Sequence, residues 1–121
     1  MVVDRSAMLA ATLWVIWWRP VAGLSSADLE LCLDEHLAWM LSLEHAGHLF
    51  ASGPITSGEG VTPGAGLTIL RAADAVEAAS IAARDPFVEK GLRHFDVFGW
   101  QLMEGAVTVR VSFGTGTYGF T

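Results

Sequence analysis

The chain has 121 residues, of which 52% are hydrophobic and 17% charged, and its formal net charge is −6 at pH 7. This length predicts one domain over residues 1–121. So apolar a composition in so small a domain predicts that part of the surface is covered in a homodimer or a larger homo-oligomer. The seven basic residues are scattered singly, which excludes nucleic acid as a partner because its phosphates require basic patches.

Two features bear on the compartment. Cys32 is the only cysteine, which excludes a disulfide within the chain and favours the reducing cytoplasm. The apolar run MLAATLWVIWW, residues 8–18, has no basic segment before it and no small-residue cleavage site after it, and it is too short to span a bilayer as a helix. We therefore expect a cytoplasmic protein without a membrane partner, in which this run forms a buried strand.

The next elements alternate in type. A helix is predicted from a cap at Ser26 to about Ala46, ended by Gly47. Apolar side chains recur along one face of it, at Leu29, Leu33, Leu37, Met40 and Leu41. The following segments predict a strand (HLFASGPI, 48–55), a flexible glycine-rich loop (TSGEGVTPGAG, 56–66) and a second strand (LTILRA, 67–72).

The second half repeats the alternation. Asp74 is expected to cap the helix AVEAASIAAR, residues 75–84, which Pro86 stops. The segment FDVFGWQLM, residues 95–103, resumes strand character, and AVTVRVSF, residues 106–113, predicts one further C-terminal strand.

The order β-α-β-β-α-β predicts an α+β ferredoxin-like fold, with an antiparallel sheet and two helices on one face. Its uncovered face would meet a second subunit, as in a dimeric α/β barrel.

Two ionisable residues are candidates for chemistry. His36 falls on the apolar face of the first helix, where it is either a core histidine bonded to a carbonyl or a general base oriented by a carboxylate. Asp85 is the candidate carboxylate, yet it could equally be the N-cap of a short turn that begins at Pro86 and closes at Gly91. Both roles are compatible, and His94 is a minor alternative partner.

Other motifs indicate less. His45 and His48 straddle Gly47 without a converging third ligand, so we expect no metal site. The glycine-rich loop matches no phosphate-binding template and enters a strand, so no cofactor site is expected there; it is interpreted as a mobile hairpin loop. Aromatic side chains that wall a pocket would favour a flat, apolar substrate.

Three segments in order resemble the YciI-related (YCII-related) family over residues 12–103. The first is EHLAWMLSLEHAGHLFASGP, the second is GAGLTIL, and the third consists of ARDPFVEKGL followed closely by FDVFGW. The resemblance implies a dimeric ferredoxin-like protein whose catalytic pair corresponds to His36 and Asp85. It also implies a pocket lined by Ser52, Gly53 and Pro54, to which we add the nearby aromatics Phe87 and Trp100 as substrate-binding candidates. Residues 104–121 form an extension beyond the family pattern.

Some members of that family resemble lyases that eliminate HCl from chlorinated, hydroxylated rings without a cofactor, and others accompany regulators. The expectation is therefore a cofactor-free lyase or isomerase in which His36 acts on a small cyclic or aromatic ligand, with Ser52 or backbone N–H groups stabilising an oxyanion. The alternatives are a dimeric, non-catalytic module that binds a ligand or a regulatory partner, and monooxygenase-like chemistry on a similar dimer.

Overall fold

A computed structural model describes residues 1–120, and in it the central part of the chain forms the predicted βαββαβ arrangement. A short 3₁₀ turn at Arg5–Ala7 precedes the first strand. The elements are β1 (Ala11–Pro20), α1 (Ser26–Glu30), α2 (Leu33–His45), β2 (Leu49–Thr56), β3 (Val61–Leu70), α3 (Ala75–Ala82), α4 (Pro86–Glu89) and β4 (Arg93–Leu102). The strands hydrogen-bond in the order β2-β3-β1-β4. This antiparallel sheet, with helices packed on one face, confirms the ferredoxin-like α+β prediction.

The core lies between the sheet and the helices. Apolar side chains alternate along β1, so that Ile16 and Trp18 point to the helices while Trp17 points away. The buried cluster comprises Ile16, Trp18, Met40, Leu43, Leu70, Ala78, Ile81 and Ala82. Pairing of Trp18 with Gly66, and of Ser52 with Thr68, fixes the register of the sheet beside the cavity described below. None of the helices within residues 1–120 is long and apolar enough to cross a membrane.

The first predicted helix is broken in two. Ser25 caps α1 instead of Ser26, through reciprocal bonds with Asp28: the Asp28 N–H donates to Ser25 Oγ at 3.3 Å, and the Ser25 N–H donates to Asp28 Oδ2 at 2.9 Å. Cys32, with φ −130° and ψ 18°, interrupts the helix before α2 starts. The apolar spacing continues across this break, which is why it predicted one helix.

The buried face of α2 also differs from the prediction. Met40 and Leu43 are buried, but Leu37 and Leu41 are 47% and 63% exposed. Leu41 therefore does not belong to the core, and Leu37 instead borders the cavity.

The glycine-rich segment is shorter as a loop than predicted. Its second half, from Val61, is the first part of β3 paired to β2, and only residues 57–60 connect the two strands. Backbone hydrogen bonding in the sheet overrides the low strand propensity of glycine there.

Internal contacts divide the chain into residues 12–100 and a second unit of residues 1–11 with 101–121. In the second unit the extension contains two strands instead of the predicted one, β5 (Val109–Ser112) and β6 (Thr117–Phe120). They form an antiparallel hairpin with Val111 opposite Tyr118. Pairing within the extension gives hydrogen-bond partners to backbone N–H and C=O groups that a single strand would leave unpaired.

Cys32 is buried at 3% exposure, and burial raises the pKa of its thiol. We predict that iodoacetamide modifies native Cys32 at least about a hundredfold more slowly than an accessible thiol, since each factor of ten requires only about 1.4 kcal/mol of local opening free energy. Mass spectrometry of the native and urea-unfolded chain measures the two rates.

The matched control for this measurement is the double variant C32S/L31C, because Leu31 is adjacent and 88% exposed. Its thiol should react at the rate of the unfolded chain. Equal rates for native wild type and this variant would show that Cys32 is accessible.

Candidate active site

The carboxylate of Asp85 is fully buried and satisfied from several directions. Asp85 is the N-cap of α4, and its Oδ1 accepts the Phe87 backbone N–H at 3.3 Å, as the capping prediction required. Pro86 occupies the first turn of α4, and Gly91 follows with φ +71°. The turn chemistry of this segment therefore holds the carboxylate rigidly between α3 and β4.

The structure brings His36 to the same carboxylate. His36 Nδ1 lies 2.8 Å from Asp85 Oδ1, and the two side chains are 12% and 0% exposed. The imidazole ring stacks on Phe87 with centroids 4.2 Å apart and an interplanar angle of 17°. Because an ionised carboxylate only accepts hydrogen bonds, we assign the ring hydrogen to Nδ1. Nε2 then keeps a free lone pair, as a general base requires.

Arg93, at the start of β4, completes the cluster. Its Nε donates to Asp85 Oδ2 at 2.8 Å, and its side chain is 6% exposed. The guanidinium carbon lies 4.0 Å from the centroid of a Trp18 ring and 4.9 Å from that of Phe87. Burial lowers the pKa of Arg93, and the neighbouring Asp85 opposes that change. Arg93 and Asp85 therefore form a buried ion pair.

His36, Phe87 and Arg93 border a largely apolar cavity of about 670 Å³. Of the candidates predicted from the sequence, five line it: His36, Ser52, Gly53, Pro54 and Phe87. Asp85 lies behind His36 and Arg93 and does not line the cavity itself. Trp100 does not line it either: it lies near the end of β4, 41% exposed, at a position that alternation assigns to the face of the sheet away from the helices.

Two glycines of β3 line the cavity, and neither position has room for a side chain. Gly64 has φ +79°, and a Cβ on it would approach a Leu24 methyl to 2.6 Å. A Cβ on Gly66 would come within 3.0 Å of the Gly53 carbonyl oxygen. Side chains at these two positions would collide with Leu24 and with the backbone of β2, so both positions require glycine.

The hydroxyl of Ser52 is hydrogen-bonded within the protein. Its Oγ lies 2.8 Å from Thr68 Oγ1 and 3.3 Å from the Leu67 carbonyl oxygen. Thr68 Oγ1 in turn accepts the indole N–H of Trp18 at 2.7 Å. A serine has one hydrogen to donate, and here two protein oxygens are within its reach.

The sequence interpretation missed Arg93. The signal is its register: Arg93, Phe95 and Val97 alternate along β4, and the two apolar members pack against the core. An arginine at an inward-facing strand position requires a buried anion. Asp85, eight residues earlier, is the fully buried carboxylate in the described part of the chain.

The remaining histidines lie elsewhere. His94 points to the opposite face from Arg93 by strand alternation, and His48 Nδ1 lies 3.3 Å from the Arg71 carbonyl oxygen. Within residues 1–120, no three His, Cys, Asp or Glu side chains converge as metal ligands would.

Comparison with known proteins places this geometry in context. No curated protein matches the chain significantly. Among solved structures, the fold is similar to that of 5-chloro-2-hydroxyhydroquinone dehydrochlorinase (TftG) from Burkholderia phenoliruptrix in complex with 2,5-dihydroxybenzoquinone. The TM-score is 0.60 at 24% identity, over 73% of this chain and 92% of that one. The model of the YCII-related domain matches residues 12–101, and the chain therefore belongs to the YCII-related domain family.

Proposed function

We propose that the protein is a cofactor-free small-molecule enzyme of the lyase or isomerase type, in which His36 is the general base and Asp85 orients it. The observation that supports this most is the contact of His36 Nδ1 with the buried Asp85 carboxylate, at the wall of a largely apolar cavity. The similarity in fold to a dehydrochlorinase of a hydroxylated ring favours a small cyclic or aromatic substrate.

In the proposed reaction, Nε2 of His36 removes a proton from the substrate, and Asp85 stabilises the imidazolium that results. The electron pair left on the substrate then expels a leaving group, such as chloride, or forms a double bond elsewhere in the ring as the imidazolium returns its proton to another ring atom. The largely apolar walls lower the local dielectric and so strengthen the electrostatic interactions within the cavity.

A non-catalytic module that binds a ligand or a regulatory partner is the second candidate. It is favoured by the structural role of Asp85, whose carboxylate caps α4 and forms an ion pair with Arg93. Loss of stability on substitution of Asp85 therefore supports neither candidate over the other. His36 is the residue that separates them.

We predict that His36→Gln lowers the turnover of a chlorinated hydroxyhydroquinone about 10²–10⁴-fold, because proton transfer loses its base. Chloride release, measured with a chloride electrode, gives the rate. His45→Gln is the control, since His45 lies exposed in the last turn of α2 and should leave the rate unchanged. Equal turnover by wild type and His36→Gln would contradict the proposed role.

Substitutions of Asp85 and of His36 should lower the free energy of unfolding by different amounts. Asp85→Asn leaves Arg93 buried without its anion and should cost about 3–5 kcal/mol of unfolding free energy. His36→Gln removes a partly exposed ring and should cost only about 1 kcal/mol. Urea denaturation measures both. A loss for His36→Gln as large as that for Asp85→Asn would favour a structural histidine and the binding module.

We also propose that the protein is a homodimer that covers the open face of the sheet. By alternation, Trp17 and Phe98 lie on the face away from the helices; they are 44% and 49% exposed and pack edge to face, with centroids 6.5 Å apart. Exposed aromatic patches of this kind are typical of subunit interfaces.

The double variant W17E/F98E should therefore be monomeric, whereas wild type should show twice the monomer mass by light scattering after size-exclusion chromatography. Val76→Glu is the control, because it adds a carboxylate at an exposed position on α3. A monomeric wild type, or a dimer that survives the double substitution, would contradict the proposed interface.

A further inference from the structure

Arg93 borders the cavity, and its ion pair with Asp85 does not use all the hydrogen-bond donors of the guanidinium. We propose that the guanidinium of Arg93 binds the ligand oxygen on which negative charge develops, so that the cavity selects cyclic compounds with an acidic hydroxyl, phenols or enols, and holds them as oxyanions. This inference rests on the proposed function, which it extends from the base to the group that receives the charge.

The first support is the hydrogen-bond inventory of the side chain. Nε is used by Asp85, whereas buried Nη2 has no hydrogen-bond partner among residues 1–120. A buried donor without an acceptor destabilises the protein. The side chain is more than nine-tenths buried yet borders the cavity, and Nη1, which also has no hydrogen-bond partner among residues 1–120, is the Nη atom left accessible to an anionic oxygen of a bound ligand.

The second support is that the guanidinium is fixed before any ligand arrives. Trp18 and Phe87 rings lie against it at 4.0 and 4.9 Å, and Asp85 anchors it through Nε. Stabilisation of a developing charge is most effective when the donor is already oriented in a site that excludes water. Arg93 meets this condition without a loop movement.

The third support is that other side chains of the cavity are less suited. The hydrogen of Ser52 has protein acceptors in Thr68 and Leu67, and Glu44 is an anion that would repel an oxyanion. Within the described residues that line the cavity, Arg93 is the one permanent cation. Arg93 is therefore better placed than Ser52 to stabilise the oxyanion.

The charges balance during the transfer. Before it, Arg93 and Asp85 neutralise each other and His36 is neutral. The ligand O–H bond then breaks, an N–H bond forms at His36 Nε2, and the electron pair stays on the ligand oxygen. The imidazolium now faces Asp85 and the oxyanion faces Arg93, so both new charges have an opposite charge beside them.

The test uses 4-nitrophenol, whose ionised form is distinguished by its visible absorption, and the full chain without other additions. Wild type should bind the ionised form preferentially and lower the apparent pKa of the bound phenol below that of the free phenol. The methyl ether 4-nitroanisole, which cannot ionise, is the matched ligand, and its binding is followed by tryptophan fluorescence.

Arg93→Lys keeps the cation beside Asp85 but loses the planar pair of Nη donors, and it is preferred to Arg93→Met, which would leave Asp85 buried without a cation. It should weaken binding of 4-nitrophenolate about tenfold or more while 4-nitroanisole binds as before. Arg71→Lys is the control, because Arg71 also lies over an aromatic ring, 5.1 Å from the centroid of Phe50, but does not line the cavity.

Three other outcomes would overturn the inference. If Arg93→Lys binds and ionises 4-nitrophenol as wild type does, Arg93 does not receive the charge, and the proposed role of His36 is unaffected. Binding of the neutral phenol alone leads to the same conclusion. If wild type binds neither ligand, the cavity does not take small aromatic compounds, and the proposed substrate class fails together with the inference.

Discussion

One buried carboxylate fixes the relative positions of three elements of this fold. Asp85 accepts hydrogen bonds from the first turn of α4, from His36 on α2 and from Arg93 on β4. An ionised group without water requires such complete pairing, because its desolvation costs several kcal/mol. The need to satisfy Asp85 therefore determines where His36 and Arg93 lie, and with them one wall of the cavity.

The opposite wall is formed by the sheet, and here small side chains matter more than charge. Gly64 and Gly66 in β3 line the cavity at positions where no side chain would fit, and Trp18 lies beside them with its indole N–H bonded to Thr68. The result is a largely apolar volume with its polar groups concentrated at one end. Such an arrangement fits the small cyclic ligand proposed above, with its substituents at the polar end and its faces against the apolar walls.

Much of this could be predicted from the sequence because it depends on local rules. The cap at Asp74, the turn after Asp85 and the helix end at Gly47 follow from nearest neighbours, and the structure has all three. The order of elements was sufficient to predict the sheet. The resemblance to a family, and not spacing, pointed to the pairing of His36 with Asp85.

What could not be predicted depends on contacts between distant residues. Apolar periodicity does not register the change of dihedral angles at Cys32, so one helix was expected where there are two. Glycine-rich composition predicted a loop where pairing to β2 extends β3. Arg93 was missed because its role exists only once β4 lies beside α4, and Trp100 was assigned to the cavity without knowledge of which face of the sheet it occupies.

Asp85 and His36 contribute differently to the stability of the fold, and this difference affects how homologous sequences diverge. Asp85 supports the fold through its cap and its ion pair, so a descendant that lost activity would still be selected to keep it. His36 is held by one hydrogen bond and one stacked ring, and selection for stability alone would let it drift. Among relatives of this chain, the aspartate is therefore a marker of retained architecture, and under the function proposed above the histidine is the better marker of retained chemistry.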